Sequence, residues 1–155
     1  MTRRGLVPLL VLIVLVTTGP PVSAQGTAEA RVTALVGLAR TARDQGRVAE
    51  AADLFARADR EQPFSGALLV EYFWTSVEAD VPGTDEVGRR VLAAQPAARA
   101  IRDGLIGWAV RAGLEGRVRE LAADGVRLQP SEALWHRRLA EHYLRVGRPA
   151  DAADA

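Results

Sequence analysis

The sequence predicts an all-α fold: a right-handed α-solenoid of antiparallel helix pairs, preceded by a cleaved signal peptide. Three observations predict the solenoid. Gln-Pro recurs at Gln62-Pro63, Gln95-Pro96 and Gln129-Pro130, with the prolines 33 and then 34 residues apart. Proline stops the helix before it, because it lacks an N–H and pushes the preceding residue out of the helical region. Between these stops, apolar residues recur at three- and four-residue steps, the spacing of one helical face. Each interval is also split by a break centred on glycine: Gln45-Gly46-Arg47, Asp80-Val81-Pro82-Gly83 and Ala112-Gly113. A fixed period in this range marks stacked supersecondary units that share a core with their neighbours.

The amino-terminal residues are set apart from that fold. Arg3 and Arg4 form a short cationic start, residues 6–16 are apolar, and Val22-Ser23-Ala24 offers small residues before Gln25. This is the pattern of a signal peptide over residues 1–24, cleaved before Gln25. The apolar run is shorter than the ~18 residues a membrane span needs, so no stable membrane anchor is expected after cleavage. The product is expected to be exported, periplasmic or secreted. The chain contains no cysteine, which excludes both disulfides and a lipidated N-terminal Cys. Residues 25–30 are expected to be a short linker, and 31–155 the repeat domain.

The first unit, about 32–64, pairs a stripe of Leu35, Leu38, Ala39 and Ala42 with one of Ala51, Leu54, Phe55 and Ala58. Gly46 falls where a helix ends in a left-handed residue. Small alanines let the helices approach, and Phe55 fills the gap between them. The second unit, about 65–97, offers Leu68, Tyr72 and Thr75, then a turn, then Thr84 as N-cap with Asp85 and Glu86 in the first turn. Its second helix carries Val87, Val91 and Leu92. The third, about 98–131, holds Ile101, Leu105 and Trp108, then Val118, Leu121, Ala122 and Leu128; its first helix admits a register one residue along. The fourth, 132–155, begins with a capped helix from Ser131 carrying Trp135, Leu139, Ala140 and Tyr143, and is incomplete after Gly147 and Pro149. A helix starting there needs ~10–14 residues and a solenoid normally closes with a polar cap. The favoured reading is therefore a chain that forms the front of a longer protein; the other is a partner covering that end.

The run from Gly46 to Ala58, closing at Pro63, resembles the second half of a tetratricopeptide repeat, with Gly46, Ala51, Phe55, Ala58 and Pro63 at the family's offsets. In the first half, Leu35 and Leu38 fit, while Ala39 and Ala42 replace the usual Gly and Tyr. Later units depart further: Gly88 stands where the family has an aromatic, and Gly125 where it has Ala. The resemblance covers roughly residues 30–155. It implies stacked helix pairs whose first helices line a concave binding surface.

Charge and chemistry narrow the function classes. Removing Arg3 and Arg4 turns the formal charge from +1 to −1, and a near-neutral surface gives no footprint for nucleic acid or an anionic membrane. His136 and His142 lie six residues apart on one predicted helix, about 600° of rotation, so they do not share a metal as an i, i+4 pair does. Glu132 and His136 do stand at i, i+4, as a solvated surface contact. No phosphate-binding loop or nucleophile elbow is visible. The reading is non-enzymatic, with no cofactor or metal.

The expected role is an exported scaffold that binds a protein or peptide partner on the concave face. Candidate contacts are Val36, Arg40 and Arg43 from the first unit, Leu69, Phe73 and Ser76 from the second, and Arg137, Glu141 and Arg145 from the fourth. Arginine can hold a carboxylate bidentately, and Phe73 is the apolar anchor, so an extended peptide with acidic groups is the expected occupant. The family's Asn/Lys/Arg carboxylate clamp is not carried over, because the chain has no Lys. The alternative is the helical leader of a longer exported enzyme or receptor whose active domain lies beyond Ala155. Self-association through the uncapped C-terminal end is a further expectation.

Overall fold

Repeating stops and turns produce repeating helices. The structure, a computed structural model, describes residues 24–155. Its helices are α1 (Ala24–Asp44), α2 (Val48–Glu61), α3 (Gly66–Glu78), α4 (Thr84–Ala94), α5 (Arg99–Arg111), α6 (Glu115–Leu128), α7 (Ala133–Arg145) and α8 (Pro149–Ala153). They stack as pairs α1–α2, α3–α4, α5–α6 and α7–α8, with α2 on α3, α4 on α5 and α6 on α7. No strand occurs among the described residues. The signal-peptide reading falls on residues outside this set, apart from Ala24. Residues 25–30, expected as a linker, belong to α1 instead; Ala28, Glu29 and Ala30 give that stretch a helix-forming composition.

The turn within each pair is built the same way four times. The second residue after each first helix sits in the left-handed region: Gly46 (φ 74°), Asp80 (φ 54°), Gly113 (φ 70°) and Gly147 (φ 73°). The following N–H returns to the carbonyl five residues back, as in Arg47 to Ala42 (2.9 Å), Val81 to Ser76 (3.3 Å), Leu114 to Ala109 (2.9 Å) and Arg148 to Tyr143 (2.8 Å). This is the Schellman closure. Asp80 is the only non-glycine with positive φ among the described residues, and Asp tolerates that region better than most side chains. The helix after Asp80 does not start as expected. Gly83 is the N-cap of α4, and Thr84 is fully buried, its hydroxyl donating toward the carbonyls of Ser76 (2.9 Å) and Val81 (2.7 Å). Glu132, without a side-chain cap bond, precedes α7 where Ser131 was expected to cap. The second helices end at Gln62, Gln95 and Gln129, whose φ of −147°, −138° and −140° is extended, as a following Pro requires.

Packing of the first unit follows the sequence closely. Ala39, Ala51, Phe55 and Ala58 are fully buried. The Phe55 ring stacks on Tyr72 at 6.0 Å and meets the edge of Phe64 at 6.4 Å, which ties the first unit to the second. Leu38, expected in this core, is 56% exposed. It lies on the side of α1 that no described helix covers. Leu128, also expected inside, is exposed at the end of α6.

Later units are packed from the other side. A β-carbon on Gly88 would stand 2.8 Å from Leu105 and 3.1 Å from the Phe73 ring. On Gly125 it would stand 2.4 Å from the Trp135 ring. Both glycines lie on second helices, and the space an aromatic or alanine would take there is filled from a first helix. Trp135 is fully buried and its indole N–H donates to the Gln129 side chain at 2.9 Å, so the Gln of the last Gln-Pro stop anchors the next unit. In the fourth unit Leu139, Ala140 and Tyr143 are half-buried, and the Arg148 guanidinium lies over the Tyr143 ring at 5.3 Å.

Candidate functional site

Side chains bridge each first helix to the next, α1 to α3, α3 to α5 and α5 to α7, and so mark one face of the stack. Arg40 of α1 grips Glu71 of α3 bidentately, Nε donating to Oε1 at 2.9 Å and to Oε2 at 3.3 Å, and Nη2 to Oε2 at 2.7 Å. Arg43 stands 4.0 Å from the same carboxylate. Trp74 of α3 lies over Gly104 of α5, where a β-carbon would be 2.6 Å from its ring. Asp103 of α5 accepts from Nε of Arg138 of α7 at 2.7 Å, and Arg138 also reaches Glu141 at 3.1 Å.

These bridges correct part of the expected contact set. Val36 and Arg40 do line an apolar hollow of about 520 Å³ between α1 and α3, together with Val32, Leu68 and Glu71. Leu69, Phe73 and Ser76 do not face it. Phe73 and Ser76 are fully buried and Leu69 is 5% exposed; Phe73 packs against Gly88, and the Ser76 hydroxyl donates to the Phe73 carbonyl at 2.7 Å. On this face α3 presents Leu68, Glu71 and Trp74 instead. Trp74, 38% exposed, is the aromatic this face presents. It is adjacent in sequence to the expected anchor, and sequence reasoning missed it because the inward turn of Phe73 depends on a glycine 15 residues later.

The arginines are also less free than expected. Arg40 and Arg43 share Glu71, whose carboxyl is held below its usual range first by the Arg40 hydrogen bond and also by both arginine charges, against a burial that pushes it up. Arg137 lies 3.8 Å from Glu141. Arg145 reaches Glu115 at 3.2 Å, and His142, almost fully buried, bonds the same carboxylate at 2.8 Å. His136 bonds the carbonyls of Pro130 and Ala155, while Glu132 pairs with Arg99 at 3.2 Å, so the expected Glu132–His136 contact is not made. Two arginines on one carboxylate leave one uncompensated positive charge beside the apolar hollow. Chemically, the face offers an aromatic surface, an apolar trough and a local excess of guanidinium, which suits holding an extended chain.

No family model matches the sequence, and no curated protein does. Solved structures do match its fold. MamA from MSR-1 superposes with a TM-score of 0.63 at 20% identity, over 78% of this chain and 70% of that one. MamA (41-end) from Desulfovibrio magneticus RS-1 superposes with a TM-score of 0.60 at 18% identity, over 79% and 70% respectively. MamA has the tetratricopeptide-repeat fold. The chain thus folds as the helical solenoid that its Gln-Pro period and its first unit predict.

Proposed function

We propose that this tetratricopeptide-fold solenoid is a non-enzymatic scaffold that holds a protein or peptide partner across α1, α3 and α5, and that it acts after export, in a periplasm or outside the cell. The observation that carries the binding role is Trp74. A large aromatic left partly exposed on a glycine floor, next to an apolar trough with a spare guanidinium, has the composition of an interface centre. Export rests on the signal-like residues 1–24 alone.

Photocrosslinking in the source cells tests the binding role. A photoreactive residue at Thr33, beside the trough, should trap one defined partner, and one at Arg119 on α6 should not. Trp74→Ala should abolish the Thr33 product. Equal trapping from both positions would refute a partner on this face. The intact mass of the protein from its source tests export: a product beginning at Gln25 supports it, and a retained Met1 start contradicts it.

A narrower reading is self-association through α7. Leu144 is 61% and Val146 40% exposed beside half-buried Tyr143. Tyr143→Arg should then convert dimers to monomers in size-exclusion chromatography with mass detection, and an unchanged mass would eliminate this mode.

A further inference from the structure

On the opposite side of the stack, Arg102 poses a separate question. Its side chain is 5% exposed, and a buried guanidinium needs partners for five donors. Nη2 donates to the Pro96 carbonyl at 2.7 Å. Nη1 is 4.0 Å from Asp124 Oδ2, beyond hydrogen-bond distance. Among the described residues no fully enclosed donor is left unsatisfied, so the unbonded donors of Arg102 reach open space. That space is a hollow of about 470 Å³ between α4 and α6, with Arg102 of α5 lining it.

The walls define what fits. Leu92, Leu121 and Leu128 supply an apolar side, and Arg117 and Arg127 a charged one. Arg127 is occupied by Asp124 at 2.8 Å, and Arg117 by Asp85 at 2.7 Å and Glu120 at 2.8 Å. Arg102 is the member without a close carboxylate. Burial, together with the charges of Arg127 and Arg117, pulls its pKa below the usual value, while Asp124 counteracts this only in part. An anion of one charge would supply the missing partner.

We infer that this hollow binds a small amphiphilic carboxylate, with its carboxylate on Arg102 and its apolar body against Leu92, Leu121 and Leu128. The site is independent of the face that carries Trp74.

The test is a titration of the full chain followed by methyl NMR, with N-acetyl-leucine, N-acetyl-leucinamide and inorganic phosphate as probes. N-acetyl-leucine should give saturable shifts of the Leu92, Leu121 and Leu128 methyls. The amide should bind at least about tenfold more weakly, since a hydrogen-bonded charge is lost, and Arg102→Gln should weaken the acid by a similar factor. Absence of saturable shifts with the acid would overturn the inference, as would amide or phosphate binding as tight as the acid. The comparison of acid with amide uses unaltered protein, so it decides the matter even if Arg102→Gln does not fold.

Discussion

The first unit and the later ones fill the same kind of gap from opposite sides. In the first, Phe55 on a second helix projects between small alanines of α1 and onto Tyr72. In the second, α4 carries Gly88 and Phe73 enters from α3; where the third unit meets the fourth, α6 carries Gly125 and Trp135 enters from α7. A helix pair therefore needs one large side chain and one small one at the contact, with little preference for which helix supplies which. Packing constrains total volume and shape more tightly than the identity of each contributor.

The comparison can be broken most severely by removing the large partner. Phe55→Ala and Trp135→Ala should each cost ~3–5 kcal/mol, read as a large drop in thermal midpoint; similar losses at both sites would show that the two solutions are equivalent. Exchanging the partners sharpens it. Gly88→Phe alone should destabilise by ~1–3 kcal/mol through overpacking. Combined with Phe73→Ala, it should recover much of that loss, a strongly non-additive pair in a double-mutant cycle. Additive losses would mean that Phe73 and Gly88 do not share one space. Smaller still is the contrast between two glycines. Gly125→Ala should destabilise, because its β-carbon meets the rigid Trp135 ring, although alanine favours a helix by ~1 kcal/mol. Gly107→Ala, where the nearest atom is the flexible end of Arg111 at 3.9 Å, should stabilise by about 0.5–1 kcal/mol.

The smallest expected effect concerns the charges that link units. Asp59 and Glu71 both have lowered pKa values. Burial pushes Asp59 up, but the Arg90 and Phe64 hydrogen bonds and the Arg90 charge outweigh it; for Glu71 the Arg40 hydrogen bond dominates. A carboxyl with a depressed folded pKa stabilises above its unfolded value, about 4, and loses that contribution as pH falls through the folded value. The thermal midpoint should therefore fall on acidification below about pH 4, and Glu71→Gln should flatten the fall. A midpoint with the same acid dependence in Glu71→Gln would remove Glu71 from this role.

Much of the architecture was legible in the sequence because it is written locally. Pro63, Pro96 and Pro130 end helices by their own ring geometry, and Gly46, Gly113 and Gly147 turn the chain where other residues are strained. The inward face of the second unit was not legible in the same way. Tyr72 was read correctly, but whether Phe73 or Trp74 turns inward depends on Gly88 and Gly104, which are distant in sequence. The candidate face suffered most, since one residue of register exchanges a buried ring for an exposed one. Arg102 was missed for a related reason: a charged residue on a helix reads as solvent-facing until its neighbours enclose it.

The ion pairs between successive units have a mechanical consequence. Arg40–Glu71, Asp59–Arg90, Asp85–Arg117 and Asp103–Arg138 span 31 to 35 residues, one repeat each. Arg40–Glu71 is exposed, a kind of pair that adds little to unfolding free energy, while the other three are partly buried. Each bears on the angle between adjacent units, and dissolved salt screens the exposed contact over about 8 Å at physiological strength and the partly buried ones less. The stack should then be stiffer in dilute buffer and more compliant in brine, to the extent that these contacts are exposed. Small-angle X-ray scattering across a salt series should show its end-to-end spread widening while its helix content holds.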